Sequence, residues 1–286
     1  MMVNSSDFDR EVEVHWCPGC GNYPALKILK ETLTDLNITP NNAVIVTGIG
    51  QAGKFSHFIE GNMINGLHGR YLSNALAIKA SNPELSVFAI SGDGCTYSEG
   101  GNHFLHTMRY NPSIVNIVHD NAVYGLTKGQ ASPTSEIGVK TGVQTLGVYN
   151  TPFNPIAVAI AQNASFVARA FVGHAEQTKE ILKKAIAHKG YAFIDLFSPC
   201  VSFNRINTYQ WYRENTYYLE DSYTPFDQKE AIGRALERSK LPLGVFYINE
   251  RPTYEDNIQI YKNDSRPLWE RDLSKEKLKT LINSFR

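Results

Sequence analysis

Short apolar, β-branched runs that end in glycine or asparagine turns recur along the first two thirds of the chain, each followed by an amphipathic segment. The predicted strands cover residues 43–47, 85–90, 113–119, 166–171 and 192–196, and the predicted helices cover 25–36, 72–80, 101–109, 155–162 and 175–187. This alternation predicts an α/β fold with a doubly wound parallel sheet. Ligands of such sheets bind at the carboxyl ends of the strands, where these turns fall.

The strand–helix alternation lapses after about residue 204. Residues 209–223 are rich in tyrosine and charged side chains, and beyond them we predict a helix at 225–240, a strand at 244–248 and a last helix from Ser274. We therefore expect a core domain at residues 1–205 and a small C-terminal extension at residues 206–286. The extension is expected to pack on the core or on a partner.

Charge and hydropathy disfavour several classes of function. The chain has 28 basic and 28 acidic residues, so nucleic acid is not an expected partner. No run of about 18 apolar residues is present and the N-terminus is polar, so we expect no membrane span, no secretory signal and a cytoplasmic location. In a reducing cytosol, Cys17-Pro18-Gly19-Cys20 is typical of a metal-binding or redox-active turn.

Polar side chains follow two neighbouring predicted strands. Gly92-Asp93-Gly94 follows one strand, and Asn121 follows the next. By itself Gly-Asp-Gly is also typical of a simple tight turn. However, Asp93, the Asn121 side chain and the backbone carbonyl of Val123 would together give Mg²⁺ the oxygen ligands that it prefers, and the glycines would admit a diphosphate. This arrangement is typical of a thiamine diphosphate site.

Several longer motifs resemble the beta subunit of the 2-oxoacid:ferredoxin oxidoreductases. The resemblance runs from residue 16 to about residue 208 and is looser in the C-terminal region. The matching segments are residues 16–21 (WCPGCG), 67–70 (LHGR), 92–94 (GDG), 100–103 (GGNH), 124–134 (YGLTKGQASPT), and the pairs Pro199-Cys200 and Phe203-Asn204.

The resemblance implies an enzyme subunit that needs a partner. An alpha subunit, or alpha and gamma subunits, would complete the thiamine diphosphate site. The 2-oxoacid, of the 2-oxoglutarate or pyruvate class, would be decarboxylated and its acyl group passed to coenzyme A. Electrons would leave through a [4Fe–4S] cluster to ferredoxin, and the reaction could run in reverse as a carboxylation.

The same resemblance assigns residues to the site. Mg²⁺ would be held by Asp93, Asn121 and Val123, and Lys128 would pair with the substrate carboxylate, although a lone lysine in a loop is more often a solvated charge. The residues expected to approach the cofactor are Gly48, Ile49, Gly50, His68, Gly69, Arg70, Gly92, Asp93, Gly94, Asn121, Val123, Gly125, Leu126 and Thr127.

The cysteines depart from the family pattern at one position. The resemblance implies four cluster cysteines; Cys17, Cys20 and Cys200 match three, and Gln51 occupies the fourth position. Glutamine is a poor ligand for iron beside thiolates. Cys95 could replace the missing ligand or could be a small buried residue beside the cofactor. A three-cysteine cluster with a weakly held fourth iron, or a zinc ion, are the other options.

Two other functions compete with this one. A non-redox thiamine diphosphate decarboxylase or synthase half would share Asp93 and Asn121 but would not need the cysteines. A non-catalytic subunit with a structural zinc ion would use the cysteines alone. His103 and His106 lie three residues apart on a predicted helix and are expected to pack rather than to bind a metal.

Overall fold

The structure, a computed structural model, describes residues 3–262, 264, 266–271 and 274–285 of the 286-residue chain. The strands are β1 (Ala43–Thr47), β2 (Asn62–Asn65), β3 (Ser86–Gly92), β4 (Ile114–Asp120), β5 (Phe166–Phe171), β6 (Ala192–Phe197), β7 (Thr216–Tyr218) and β8 (Leu241–Ile248). The helices are α1 (Asn22–Asp35), α2 (Phe55–Phe58), α3 (Tyr71–Ser81), α4 (Gly101–Tyr110), α5 (Pro155–Ala161), α6 (Ala175–Ala187), α7 (Tyr209–Asn215), α8 (Gln228–Ala235), α9 (Tyr254–Asn257), α10 (Gln259–Lys262) and α11 (Lys275–Ser284).

The strands form one sheet in the order β2-β1-β3-β4-β6-β5-β8-β7. Neighbouring strands from β2 to β5 run parallel, which confirms the predicted parallel core. Strand β8 pairs antiparallel with β5 and parallel with β7, so the sheet is mixed at this edge. The C-terminal segment therefore continues the sheet of the core.

Hydrophobic residues pack on both faces of the sheet. One buried cluster joins the sheet to α1 and α6, and the other joins it to α3, α4 and α5. Strands β1, β4, β5 and β6 are buried along their whole length. Burial on both faces explains why these strands are continuous apolar runs in the sequence and why their prediction succeeded.

The predicted elements of the core agree with the structure to within three residues at each end. Strands β2 and β7 were not predicted, because both are short and β2 is polar and largely exposed. The helix predicted at 225–240 is wrong at both ends. The carbonyl of Pro225 accepts a hydrogen bond from Ile248 N, Asp227 caps the N-terminus of α8, and the chain enters β8 at Leu241.

The C-terminal segment also contacts the core through side chains. The Glu255 carboxylate accepts a hydrogen bond from Ser113 N at 2.9 Å, and the Tyr261 hydroxyl donates to the carbonyl of Ala80 at 2.6 Å. Among the described residues, the structure contains no helix with the length and apolarity needed to span a bilayer.

Candidate cofactor and metal sites

Asp93 lies at the carboxyl end of β3, beside the turn that follows β4. Gly92 and His119 are paired in the sheet, so the two turns start side by side. The Asp93 side chain is 2% exposed. Its Oδ2 accepts hydrogen bonds from Ser132 Oγ at 2.6 Å and from Thr134 Oγ1 at 2.7 Å. These two hydroxyls fix the orientation of the carboxylate in the site.

Burial makes the charge on Asp93 costly. Desolvation raises the pKa of Asp93 to about 6, although the hydroxyls of Ser132 and Thr134 act in the opposite direction. A divalent cation bound to this carboxylate would offset the loss of hydration, since opposite charge favours the ionised form. The buried, hydroxyl-held carboxylate therefore fits a Mg²⁺ ion.

The turn after β4 brings the other two predicted metal ligands together. Ala122 adopts a left-handed conformation with φ of 54°, and Val123 N donates to Asn121 Oδ1 at 3.0 Å. Asn204 Nδ2 donates to the carbonyl of Asn121 at 2.9 Å and ties the turn to the segment that follows Cys200. The side-chain oxygen of Asn121 thus lies next to the backbone of Val123, on the turn beside Asp93.

Thr134 connects the turns after β3 and β4. Its Oγ1 lies 2.7 Å from Asp93 Oδ2 and 2.7 Å from Asp120 Oδ1. A hydroxyl carries one proton, so the second short contact requires a proton on one of the two carboxyl groups. Burial, and then the nearby Asp195 and Asp93, raise the pKa of Asp120 well above its usual range. This favours Asp120 as the protonated partner and leaves Asp93 as the ionised one.

Close backbone packing explains two of the glycines. At Gly94 a Cβ atom would lie 2.2 Å from the ring of Tyr124, and at Gly69, where φ is 73°, it would lie 2.5 Å from the carbonyl carbon of Glu99. Larger residues would force these turns apart. Gly48, Ile49 and Gly50 follow β1, next to β3 in the sheet, and so lie at the same edge as Gly92.

His68 and Arg70 lie on the rim of this edge. His68 Nδ1 is 3.3 Å from Glu99 Oε2, and Arg70 Nη1 is 2.7 Å from His103 Nε2. Partial burial, and then the Arg70 charge, lower the pKa of His103. Neutral His103 therefore accepts a hydrogen bond from Arg70.

Residues 124–130 form a tight turn that extends into solvent. Tyr124 N donates to the carbonyl of Gln130 at 2.8 Å, and Gly129 N donates to the carbonyl of Tyr124 at 2.9 Å. Lys128 is exposed in a left-handed conformation with φ of 73°. The other predicted residues of this turn are Gly125, Leu126 and Thr127, of which Leu126 and Thr127 are exposed.

Lys128 and Val123 both line a cavity of about 320 Å³. Two more cations, Lys140 and Arg205, line the same cavity. The described residues around it include no aspartate or glutamate. The cavity therefore carries an excess of positive charge that suits an anionic ligand.

Three of the four cysteines lie close together. The Cys17–Cys20 turn is closed by a hydrogen bond from Cys20 N to the carbonyl of Cys17 at 2.9 Å. Gly21 N donates to the carbonyl of Pro199 at 3.1 Å, which places this turn against the segment that contains Cys200. Burial raises the pKa of Cys20 to about 11, and Cys200 and Cys17 contribute to the rise.

The fourth cysteine has different surroundings. Cys95 is 3% exposed, and its Sγ accepts hydrogen bonds from Gly69 N at 3.1 Å and Ile49 N at 3.4 Å. Cys95 is therefore a buried residue between the turns that contain Ile49 and Gly69, both of which were predicted to approach the cofactor. Within the described ranges, no group of three or more His, Cys, Asp or Glu side chains is arranged closely enough to hold a metal ion.

The donor set at the Cys17–Cys20 turn still fits an iron–sulfur centre in its chemistry. Three free thiols lie on turns that pack together, and thiolates are the ligands that such clusters use. The fourth position is occupied by Gln51, whose side-chain oxygen is buried without a hydrogen-bond partner among the described residues. The types of donor at this site, three thiols and one carboxamide oxygen, would therefore suit an iron–sulfur cluster.

Several residues that support the site were missed at the sequence level. Asp195 accepts hydrogen bonds from Arg169 Nε and from the Tyr97 hydroxyl, both at 3.0 Å, and forms a buried ion pair behind Asp120. Ser132 and Thr134 belong to the 124–134 motif, but that motif alone does not show that they hold Asp93. Their signal is the set of three small hydroxyl side chains at Ser132, Thr134 and Ser135, which are typical of turns and do not reveal their partners.

Comparisons with known proteins agree with this geometry. Residues 46–196 match the C-terminal thiamine pyrophosphate-binding domain of thiamine pyrophosphate enzymes, and residues 200–273 match the C-terminal region of the pyruvate ferredoxin oxidoreductase beta subunit. The chain is 42% identical over 258 residues to the 2-oxoacid:ferredoxin oxidoreductase subunit beta of Saccharolobus solfataricus, with 85% of each chain covered.

Two further similar proteins are named for 2-oxoglutarate. The 2-oxoglutarate oxidoreductase subunit KorB of Mycobacterium tuberculosis is 37% identical over 198 residues, which cover 69% of this chain and 53% of that one. Among solved structures, the 2-oxoglutarate:ferredoxin oxidoreductase from Magnetococcus marinus, with 2-oxoglutarate, coenzyme A and succinyl-CoA bound, superposes with a TM-score of 0.91. That match has 30% identity and covers 99% of this chain and 96% of the other.

Proposed function

The chain belongs to the beta subunits of the 2-oxoacid:ferredoxin oxidoreductases, and we propose that it binds thiamine diphosphate through Mg²⁺ held by Asp93, Asn121 and the Val123 carbonyl. The overall reaction would convert a 2-oxoacid, coenzyme A and two oxidised ferredoxins into acyl-CoA, CO₂, two reduced ferredoxins and a proton. Thiamine diphosphate supplies the electron sink for the decarboxylation when it is bound. An alpha subunit would complete the site.

One observation carries the metal assignment. Asp93 is buried, and the hydroxyls of Ser132 and Thr134 hold it at the end of β3, beside the Asn121 turn. A charged carboxylate in this position needs a counter-ion, and a diphosphate needs one as well. Mg²⁺ held by Asp93 would supply this charge to both. The residues of this chain would bind and orient the diphosphate rather than perform the carbon chemistry.

The turns around Asp93 would complete the diphosphate site. Gly92, Gly94 and Gly69 keep the backbone close, and Arg70 contributes a positive charge at the rim. Gly48, Ile49 and Gly50, at the end of β1, would approach the cofactor from the neighbouring strand, as His68 would from the rim. The turn of Gly125, Leu126 and Thr127 would cover it.

Cys17, Cys20 and Cys200 would hold the iron–sulfur centre. Such a cluster accepts electrons one at a time when it is bound, which suits transfer to ferredoxin. Cys200 lies in the segment after β6, and the turn with Cys17 and Cys20 packs against that segment. This arrangement supports the assignment. A thiol with a raised pKa, such as Cys20, would release its proton on metal binding.

The cation-lined cavity supports a substrate class. Lys128 would pair with the 2-oxoacid carboxylate, and Lys140 and Arg205 line the same space with no acidic neighbour among the described residues. A substrate with a second carboxylate gains from these charges, whereas pyruvate has only one carboxylate. We therefore propose a preference for 2-oxoglutarate over pyruvate.

Co-expression with the partner alpha subunit tests this function. The purified complex should contain thiamine diphosphate, Mg²⁺, iron and acid-labile sulfide, and should reduce ferredoxin or methyl viologen with a 2-oxoacid and coenzyme A. Thiamine diphosphate without iron or dye reduction would support a non-redox decarboxylase or synthase half. Zinc without thiamine diphosphate affinity would support a non-catalytic zinc-bearing subunit.

A further inference from the structure

The side-chain oxygen of Gln51 is an exception to the rule that buried polar atoms are paired. Gln51 Oε1 is buried, and no donor among the described residues reaches it. Native proteins rarely leave such an oxygen without a hydrogen bond, and an exception at a candidate site calls for an explanation. A metal ion that accepts the oxygen as a ligand is one such explanation.

Gln51 lies between the two segments that carry the cysteines. Its backbone carbonyl accepts a hydrogen bond from Trp16 Nε1 at 3.0 Å, and Trp16 immediately precedes Cys17. On the other side, Gln51 Cγ and Cys200 Sγ both lie 3.9 Å from the position that a Cβ atom would occupy on Gly125. The Gln51 side chain is therefore next to Cys200 and tethered to the Cys17–Cys20 turn.

We infer that Gln51 Oε1 is the fourth donor of the metal centre, with Cys17, Cys20 and Cys200 as the other three. This inference rests on the proposed iron–sulfur function. Cys95 is set apart by its position, because its Sγ lies against the backbone amides of Ile49 and Gly69, whereas Gln51 and Cys200 both approach Gly125. The fourth iron then has a carboxamide oxygen in place of a thiolate.

The chemistry of that ligand predicts one labile iron. Soft thiolates bind cluster iron more strongly than a neutral oxygen does, so the iron at Gln51 is the first to leave. One-electron oxidation of a four-iron, four-sulfur core of charge 2+ by ferricyanide gives a core of charge 3+. Loss of Fe²⁺ from the Gln51 corner then leaves a three-iron, four-sulfur core of charge 1+ on the three thiolates.

The test compares four forms of the complex with the alpha subunit: native, Gln51→Leu, Gln51→Cys and Ser198→Ala. Ser198 Oγ is also buried without a partner and lies near Gly21, so Ser198→Ala is a matched control for a second unpaired oxygen. Each complex is isolated without oxygen and titrated with ferricyanide. Iron and sulfide are then measured per beta chain, and EPR spectra report the three-iron core.

The native complex and Ser198→Ala should each lose one iron in four on oxidation and gain the three-iron EPR signal. Gln51→Cys should keep all its iron under the same treatment. Gln51→Leu should be isolated already in the three-iron form with its sulfide content unchanged. If Gln51→Leu does not fold, Gln51→Cys keeps the inference open to refutation, because iron loss equal to that of the native complex would show that position 51 does not reach the labile iron.

Three results would overturn the inference. Native and Gln51→Cys complexes could respond to oxidation in the same way, Gln51→Leu could match the native iron content and spectra, or Ser198→Ala rather than Gln51→Leu could be isolated already in the three-iron form. In each case iron and thiamine diphosphate would still be present, so the proposed function would stand. A complex that contains thiamine diphosphate but no iron would overturn both the inference and the proposed electron transfer.

Discussion

The two candidate sites lie on turns of the same sheet but are built differently. At the metal–diphosphate site, Asp93 is 2% exposed and its carboxylate is held by two hydroxyl groups. At the cysteine site, Cys17 is exposed, and Cys20 and Cys200 are only partly buried on turns. The protein itself orders the carboxylate of the first site, whereas among the described residues the thiols of the second are not arranged closely enough to hold a metal ion.

The difference follows from the chemistry of the ligands. A buried carboxylate is costly unless it is hydrogen-bonded, so the fold must supply partners for Asp93 in every state. A thiol is nearly apolar, and burial that raises the pKa of Cys20 to about 11 keeps it neutral and tolerated. Thiols can therefore remain loosely arranged until a metal deprotonates them.

The largest effect is expected from Asp93→Asn. Asparagine keeps the shape and one hydrogen-bond acceptor but loses the charge that binds Mg²⁺. Loss of a group that only supports a metal ligand already costs roughly 10–100-fold in affinity, so loss of the ligand should weaken Mg²⁺–thiamine diphosphate binding by more than about 100-fold. Calorimetric titration of the complex measures this, and an unchanged thermal midpoint shows that the fold is intact. Binding within a few-fold of the native value would remove Asp93 from the metal site.

The next largest effect separates the two sites. Cys200→Ser should lose most of the iron and visible absorbance while it keeps its thiamine diphosphate, because the cofactor turns do not depend on the cluster. Cys95→Ser is the matched control and should keep its iron, since its Sγ contacts Gly69 and Ile49 instead. Metal and cofactor analysis of both complexes gives the answer. Loss of iron from Cys95→Ser alone would restore Cys95 as a cluster ligand.

Thr134→Val tests whether the hydroxyl groups prearrange the metal site. Valine has the same shape but cannot bridge Asp93 and Asp120, so Mg²⁺–thiamine diphosphate affinity should fall roughly 10–100-fold. Thr134→Ser keeps the hydroxyl and should recover most of the affinity. Equal binding by Thr134→Val and the native complex would mean that the carboxylate is held without this contact.

The smallest effect is expected at the cation-lined cavity. Lys128→Ala should raise the KM for the 2-oxoacid about tenfold, the low end for a charge-assisted hydrogen bond at an exposed group, and should leave bound cofactor unchanged. Lys128→Arg, which keeps the charge, should recover part of the loss. An unaltered KM would exclude Lys128 from the substrate site.

Lys140→Ala with Arg205→Ala tests the substrate preference in the same cavity. The double variant should raise the KM for 2-oxoglutarate by a few-fold, as expected for exposed charges, and should leave the KM for pyruvate unchanged. The ratio of the two KM values is the measurement. A parallel change for both substrates would argue against a second carboxylate in this cavity.

Much of the parallel core, and the placement of the Asp93 and Asn121 turns side by side, could be predicted from the sequence. Strands β1 and β5 match their predicted bounds, because an apolar run buried on both faces is a local signal. Strand β2 gave no such signal, since its four residues are mostly exposed. The division at residue 205 stays a prediction, although β7 and β8 extend the core sheet beyond it.

The sequence by itself determined the family, the parallel sheet and the position of Asp93, Asn121 and Val123, because each strand and the turn that follows it are contiguous in the chain. Only the tertiary structure decided that Thr134 reaches both Asp93 and Asp120, and that Cys95 contacts the backbone of Ile49 and Gly69. These contacts join residues on different turns. Their partners depend on how the strands are ordered in the sheet, which local sequence patterns do not specify.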